Sequence, residues 1–226
     1  MSSRFSFFAS SVGAKVLVAL TGLALVAYLV LHLAGNLLVF LGPDTFNGYA
    51  DMLISNPLVV PVEIGLLAVF LVHVVKAIQV TRGNRRARPQ PYARKAGAGG
   101  ASRKSAASTS MIWTGLIVLV FVGLHVRGFK YGPHYDTVVD GRTVRNLYQL
   151  EMEAFASLPV VAFYATAILL VGTHLSHGFW SAFQSLGAGD DRRSRLLRRI
   201  GQAVAAIVAL GFFIIPIWAF LLGSRS

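Results

Sequence analysis

The sequence predicts an all-α membrane protein with five transmembrane helices, the first four forming a bundle. Three observations lead there. The chain of 226 residues is 55% hydrophobic and only 13% charged, with a mean hydropathy of +0.63, far more apolar than an ordinary soluble domain. Five stretches are long enough to cross a hydrocarbon core, which takes about 20 apolar residues. Four of the five carry histidine, a side chain rarely placed at membrane depth without a function.

The spans run over about 12–41, 58–80, 111–129, 155–183 and 200–222, and together they make one transmembrane domain of residues 1–226. Pro57 and Pro61 stand near the start of the second span, where proline is tolerated. Pro216 is expected to kink the fifth and leave a carbonyl to be satisfied locally. The N-terminal "MSSRFSFFAS" lacks the ordered regions of a cleavable signal, so the first span is read as retained. No internal repeat is read along the chain.

The formal charge of +12 is concentrated in short loops rather than spread over a surface, which argues against nucleic acid as a partner. The basic loop 81–110 holds Arg82, Arg85, Arg86, Arg88, Arg94, Lys95, Arg103 and Lys104 with no acid. The loop before span five holds Arg192, Arg193, Arg195, Arg198 and Arg199. The remaining loops are neutral or weakly acidic. By the positive-inside rule the two basic loops are cytoplasmic, placing the N-terminus inside and the C-terminus outside. The Gly, Ala, Ser and Arg content of the first basic loop suits a tether touching anionic lipid. The loop "YGPHYDTVVDGRTVRNLYQLEMEAF" reads as a more structured cap. Cysteine is absent, so this chain itself holds no disulfide, no Cys-ligated zinc, no iron–sulfur cluster and no c-type haem.

Depth sorts the histidines. With span one running outward, His32 lies nine residues before Leu41, in the outer half, and His125 lies near the outer end of span three. Span two runs inward, and His73 lies seven residues before Val80; His174 and His177 fall in the last third of span four. His32 and His125 therefore form an outer layer, and His73 with one of His174 or His177 an inner layer. Two layers of paired imidazoles meet the need of two six-coordinate b-type haems, each iron taking two axial ligands. Zinc usually draws three or four converging ligands. Lys76, Arg127 and Lys130 stand where they could pair with haem propionates or snorkel to headgroups. Gly35 and Gly178, small residues near the histidines, leave room for a macrocycle edge. Tyr28 precedes His32 by one turn and can pack against its haem. Glu63, near the outer end of span two, could exchange protons with a quinone, or simply sit in a helical first turn.

The stretches "HLAGN" (32–36), "FLVHVVKA" (70–77), "GLHVRGF" (123–129) and "HLSHGFWSAFQSLG" (174–187), with "VVDGRTVRNLYQL" (138–150), resemble the cytochrome b membrane-anchor subunit of succinate:quinone oxidoreductases. The likeness is to the single-subunit, five-helix, dihaem b558-like type found in bacterial succinate dehydrogenases and fumarate reductases. It covers almost the whole chain. The resemblance implies His32 and His125 as ligands of one haem b and His73 and His174 as ligands of the other. It selects His174 because Gly178, Phe179 and Trp180 follow in the family's pattern, and leaves His177 for a propionate or a quinone. It implies an iron–sulfur subunit and a flavoprotein subunit with FAD on the cytoplasmic face of a bacterial plasma membrane. It also implies a quinone, expected to be menaquinone, as electron partner, and it admits a higher oligomer. Succinate oxidation belongs to the partner subunits, so no catalytic residue is sought here. The alternatives are a fumarate reductase anchor, another dihaem quinone-linked cytochrome such as a nitrate reductase anchor, and a haem-free anchor or transporter.

Overall fold

A computed structural model describes residues 10–87, 106–188 and 191–223. The opening "MSSRFSFFA" lies outside the described residues, as do Arg88, Arg94, Lys95, Arg103 and Lys104 of the basic loop. Helix α1 spans Ser11–Asn36 and tightens into a 3-10 turn over Leu37–Leu41. The other elements are α2 (Pro43–Ile54), α3 (Val59–Arg86), α4 (Ala106–Phe129), strands β1 (Asp136–Val139) and β2 (Arg142–Arg145), α5 (Leu147–Phe155), α6 (Leu158–Ser185) and α7 (Asp191–Gly223).

Five helical stretches are long and apolar enough to cross a membrane: Ser11–Leu41, Val59–Arg86, Ser110–Phe129, Leu158–Ser185 and Ser194–Leu222. These match the expected spans with three shifts, one of them in span five: it begins at Ser194, within a helix that starts at Asp191, rather than near residue 200, so much of the second basic loop is helical. Span four begins at Leu158, because Phe155 closes the separate helix α5. Helix α3 runs on to Arg86, so part of the predicted basic loop is helical. No residue of α3 is buried, and Val60, Val62, Ile64, Leu67, Leu71 and Val75 are all exposed. An apolar surface of that extent suits a lipid environment and not water. Pro216 sits inside α7 without ending it, and its side chain is fully buried. The proline leaves the Phe212 carbonyl without its usual partner, as expected.

The chain forms two compact units, Met1–Ala27 with Gly65–Gly115 and Thr173–Ala206, and Tyr28–Ile64 with Leu116–Gly172 and Ile207–Ser226. In the first unit the buried side chains include Ala14, Ala19, Thr114, Leu175, Trp180 and Ser194. The Arg198 guanidinium lies over the Trp180 ring, 5.4 Å from its centre.

The second unit has an apolar core of Val39, Phe46, Phe155, Val161, Ile215 and Ala219. Above it the loop folds into a hairpin in which Asp136 pairs with Arg145 and Val139 with Arg142. Its turn, Asp140–Gly141, has φ of 50° and 74°, the left-handed pair that Asp-Gly favours in two-residue hairpins. The hairpin is tied down by polar groups. Arg145 donates to the Phe129 carbonyl at 3.0 Å, satisfying an end of α4. Asn47, 1% exposed, donates to Asn146 Oδ1 and accepts from the Tyr148 N–H, both at 3.0 Å. Asn146 Oδ1 also accepts from the Gln149 N–H at 3.0 Å, capping α5.

Candidate functional site

The first unit holds His73 on α3 and His174 with His177 on α6. Nδ1 of His73 lies 3.2 Å from Oγ1 of Thr21 on α1. Nδ1 of His174 lies 3.2 Å from Oγ1 of Thr114 on α4. Each threonine also bonds back into its own helix, Thr21 to the Leu17 carbonyl at 2.6 Å and Thr114 to the Met111 and Ser110 carbonyls at 3.1 and 3.2 Å. A hydroxyl has one proton to donate and two lone pairs to accept with. With that proton on a helix carbonyl, the hydroxyl accepts from the imidazole, so Nδ1 carries the hydrogen and Nε2 the lone pair.

A glycine follows each threonine, and the ring edge rests on it. A Cβ at Gly22 would stand 3.1 Å from His73 Cε1, and one at Gly115 would stand 3.3 Å from His174 Cε1. His73 and His177 lie within electrostatic range of His174, and Arg198 within range of His177. Lys76 donates to Gln79 Oε1 at 3.1 Å, one turn along its own helix.

The second unit holds His32 and His125. Their ring centres are 5.9 Å apart with planes at 82°. Tyr28 stacks on His32 at 5.4 Å and 12°, and Phe212 approaches at 5.6 Å. Phe121, Phe129 and Tyr164 surround His125. Nδ1 of His125 is buried and makes no hydrogen bond. Asn36 donates to the His32 carbonyl at 2.7 Å and its amide nitrogen stands 3.3 Å from His32 Nδ1. The carbonyl contact assigns that amide atom as nitrogen, so His32 Nδ1 faces a donor. The two pairs thus differ in proton placement.

Lys130 and Glu63, expected as separate propionate and quinone contacts, form an ion pair with each other. Arg127 is exposed. A Cβ at Gly35 would collide with the Tyr49 ring, so that space is filled by protein; at Gly178 the neighbour is the Met111 methyl. Among the described residues no three His, Cys, Asp or Glu side chains are grouped where they could hold a metal ion. For haem, the donor set of the first unit fits: two imidazoles with Nε2 lone pairs, each Nδ1–H satisfied by a hydroxyl. In the second unit the ring spacing fits, and the proton arrangement at His32 is the point of difference.

Thr21 and Thr114 escaped the sequence reading, and so did a repeat. Residues 21–32 and 114–125 share the pattern Thr-Gly-Leu, eight residues, His. Eleven residues is about three helical turns, so the threonine and the histidine share a helix face in both copies. The signal was present in the sequence, but five identities over twelve mostly apolar residues gain meaning only when both Thr-Gly pairs are seen against histidines.

Comparison with family models, with curated proteins and with solved structures finds no significant match to this chain. Fold and site together define a multi-span helical protein carrying two histidine pairs on its apolar helices.

Proposed function

We propose that the chain is the dihaem cytochrome b anchor subunit of a succinate:quinone oxidoreductase in a bacterial plasma membrane. In this reading it passes electrons between an iron–sulfur subunit and a quinone, expected to be menaquinone. The observation that carries the reading is the pair His73 and His174, each with Nδ1 bonded to a threonine hydroxyl and Nε2 left with its lone pair. Five apolar helices, the four histidine-bearing motifs and the basic loops support it.

His73 and His174 would be axial ligands of one haem b, and His32 and His125 of the other. Bound haem would supply reversible one-electron iron chemistry. The protein's own contribution is to orient four imidazoles and to pack Tyr28, Phe121 and Phe129 against two of them. Thr21 and Thr114 hold the protons of two rings in place. The Glu63 carboxylate, paired with Lys130 and partly exposed, is a group through which a quinone's proton can pass. His177 beside Arg198 would meet a propionate or a quinone headgroup.

Haem b per polypeptide on the purified complex, with a reduced-minus-oxidised spectrum, tests the reading. Two haems per chain are expected. A folded preparation that contains no haem, and takes up none when reconstituted, would return the chain to a haem-free anchor or transporter.

A further inference from the structure

We propose that Thr21 and Thr114 are matched positioning residues that keep the proton of His73 and of His174 on Nδ1, so that both rings offer Nε2 to the same haem iron. This rests on the haem reading above and adds to it the two residues that set how those ligands bind.

Five observations carry it. Both threonine oxygens stand 3.2 Å from a histidine Nδ1. Both hydroxyls have helix carbonyls of their own turn as acceptors, which leaves a lone pair for the ring. Thr114 is only 5% exposed, so no water competes for its contact. Both threonines precede the glycine on which the same ring's Cε1 edge rests, so backbone and hydroxyl fix tilt and tautomer together. The two contacts come from helices carrying the same Thr-Gly-Leu-x8-His pattern. Each copy thus supplies a hydroxyl to one histidine and an imidazole of its own three turns on.

The chemistry makes the hydroxyl more than a packing contact. An Nδ1–H that donates to oxygen gives the imidazole more electron density at Nε2, and a more basic axial ligand favours the ferric state. Loss of the hydroxyl therefore raises the midpoint potential of the haem concerned. Valine replaces threonine at nearly constant shape, and serine retains the hydroxyl.

The test uses the full chain in its purified complex. Thr21→Val, Thr114→Val, Thr21→Ser and Thr114→Ser are compared with wild type by potentiometric titration of haem b and by low-spin ferric EPR. Each valine variant should raise the potential of one haem and shift its g values, both acting on the same haem while the other stays unchanged, with the smaller shift for Thr21→Val because the Val18 backbone also hydrogen-bonds His73. Each serine variant should return wild-type values. Alanine serves the same comparison where a valine variant does not accumulate. Two haems with unchanged potentials and g values in both hydroxyl-free variants would overturn the proposal and leave the proposed function standing. So would shifts that fall on different haems. A folded wild-type complex without haem would overturn both.

Discussion

The imidazoles of His32 and His125 face each other with ring centres 5.9 Å apart and planes nearly perpendicular. Two imidazoles on opposite sides of one metal have their ring centres roughly 6 Å apart, given metal–nitrogen bonds of about 2 Å. His32→Ala and His125→Ala should each reduce haem b from two per chain to one, with loss of one component of the reduced spectrum. His73→Ala and His174→Ala should remove the other component. Loss of the same spectral component from His32→Ala and His73→Ala would contradict the pairing.

Glu151 supplies a prediction about pH. It lies on α5, outside the spans, 5% exposed, with its pKa pushed up to about 8 by burial. The folded protein therefore holds a proton that the unfolded chain releases near the ordinary glutamate value. Stability contributed by the neutral carboxyl is complete below that value and is lost as pH rises toward 8. Melting temperature in detergent should fall across this window. Glu151→Gln should flatten the fall and raise stability at pH 8 by an amount of order a few kcal/mol. A melting curve equally pH-dependent in the glutamine variant would show that another group dominates.

The buried amide of Asn47 joins α2 to the segment before α5 through Asn146 and the Tyr148 N–H. Asn47→Ala leaves the part-buried Tyr148 N–H without its partner and removes one of the two donors to Asn146 Oδ1, and should destabilise the protein by about 1–3 kcal/mol. Asn47→Asp keeps the acceptor for Tyr148 but turns an acceptor toward Asn146 Oδ1, so it should not rescue. Thermal unfolding followed by circular dichroism distinguishes them.

The Lys130–Glu63 ion pair is partly exposed on both sides, at 42% and 44%. Such pairs contribute about 1 kcal/mol at most. Glu63→Gln should leave haem content and melting temperature near wild type. If the carboxylate exchanges protons with quinone, the same variant should slow quinone reduction by the complex. Wild-type turnover in Glu63→Gln would remove Glu63 from the quinone site.

The absence of cysteine makes orientation directly measurable. Asp140→Cys in the hairpin turn should react with a membrane-impermeant thiol reagent added outside intact cells. Arg85→Cys at the end of α3 should react only after the membrane is opened. The reverse pattern would invert the topology that the basic loops predict.

The five spans were legible in the sequence because crossing a membrane demands length and hydrophobicity, and both are properties of composition along the chain. The four histidines stood out for the same reason, as rare polar groups in apolar surroundings. The rise per residue and the direction of each span sorted the histidines into two layers but left His174 and His177 open, a choice that only the resemblance made. The sequence did not disclose the hairpin's anchorage. Arg145 on the Phe129 carbonyl and Asn47 on Asn146 are contacts between residues 16 and 99 positions apart, and no local pattern announces them. Nor did it disclose that Lys130 turns to Glu63, or that Tyr49 fills the space beside Gly35. Composition and hydropathy, then, determined by themselves that this chain has five apolar helices, four of them bearing histidine. Only the tertiary structure decided which hydroxyl meets which imidazole. A hydrogen bond depends on two atoms lying about 3 Å apart, and side chains on different helices reach that distance only after the helices have packed.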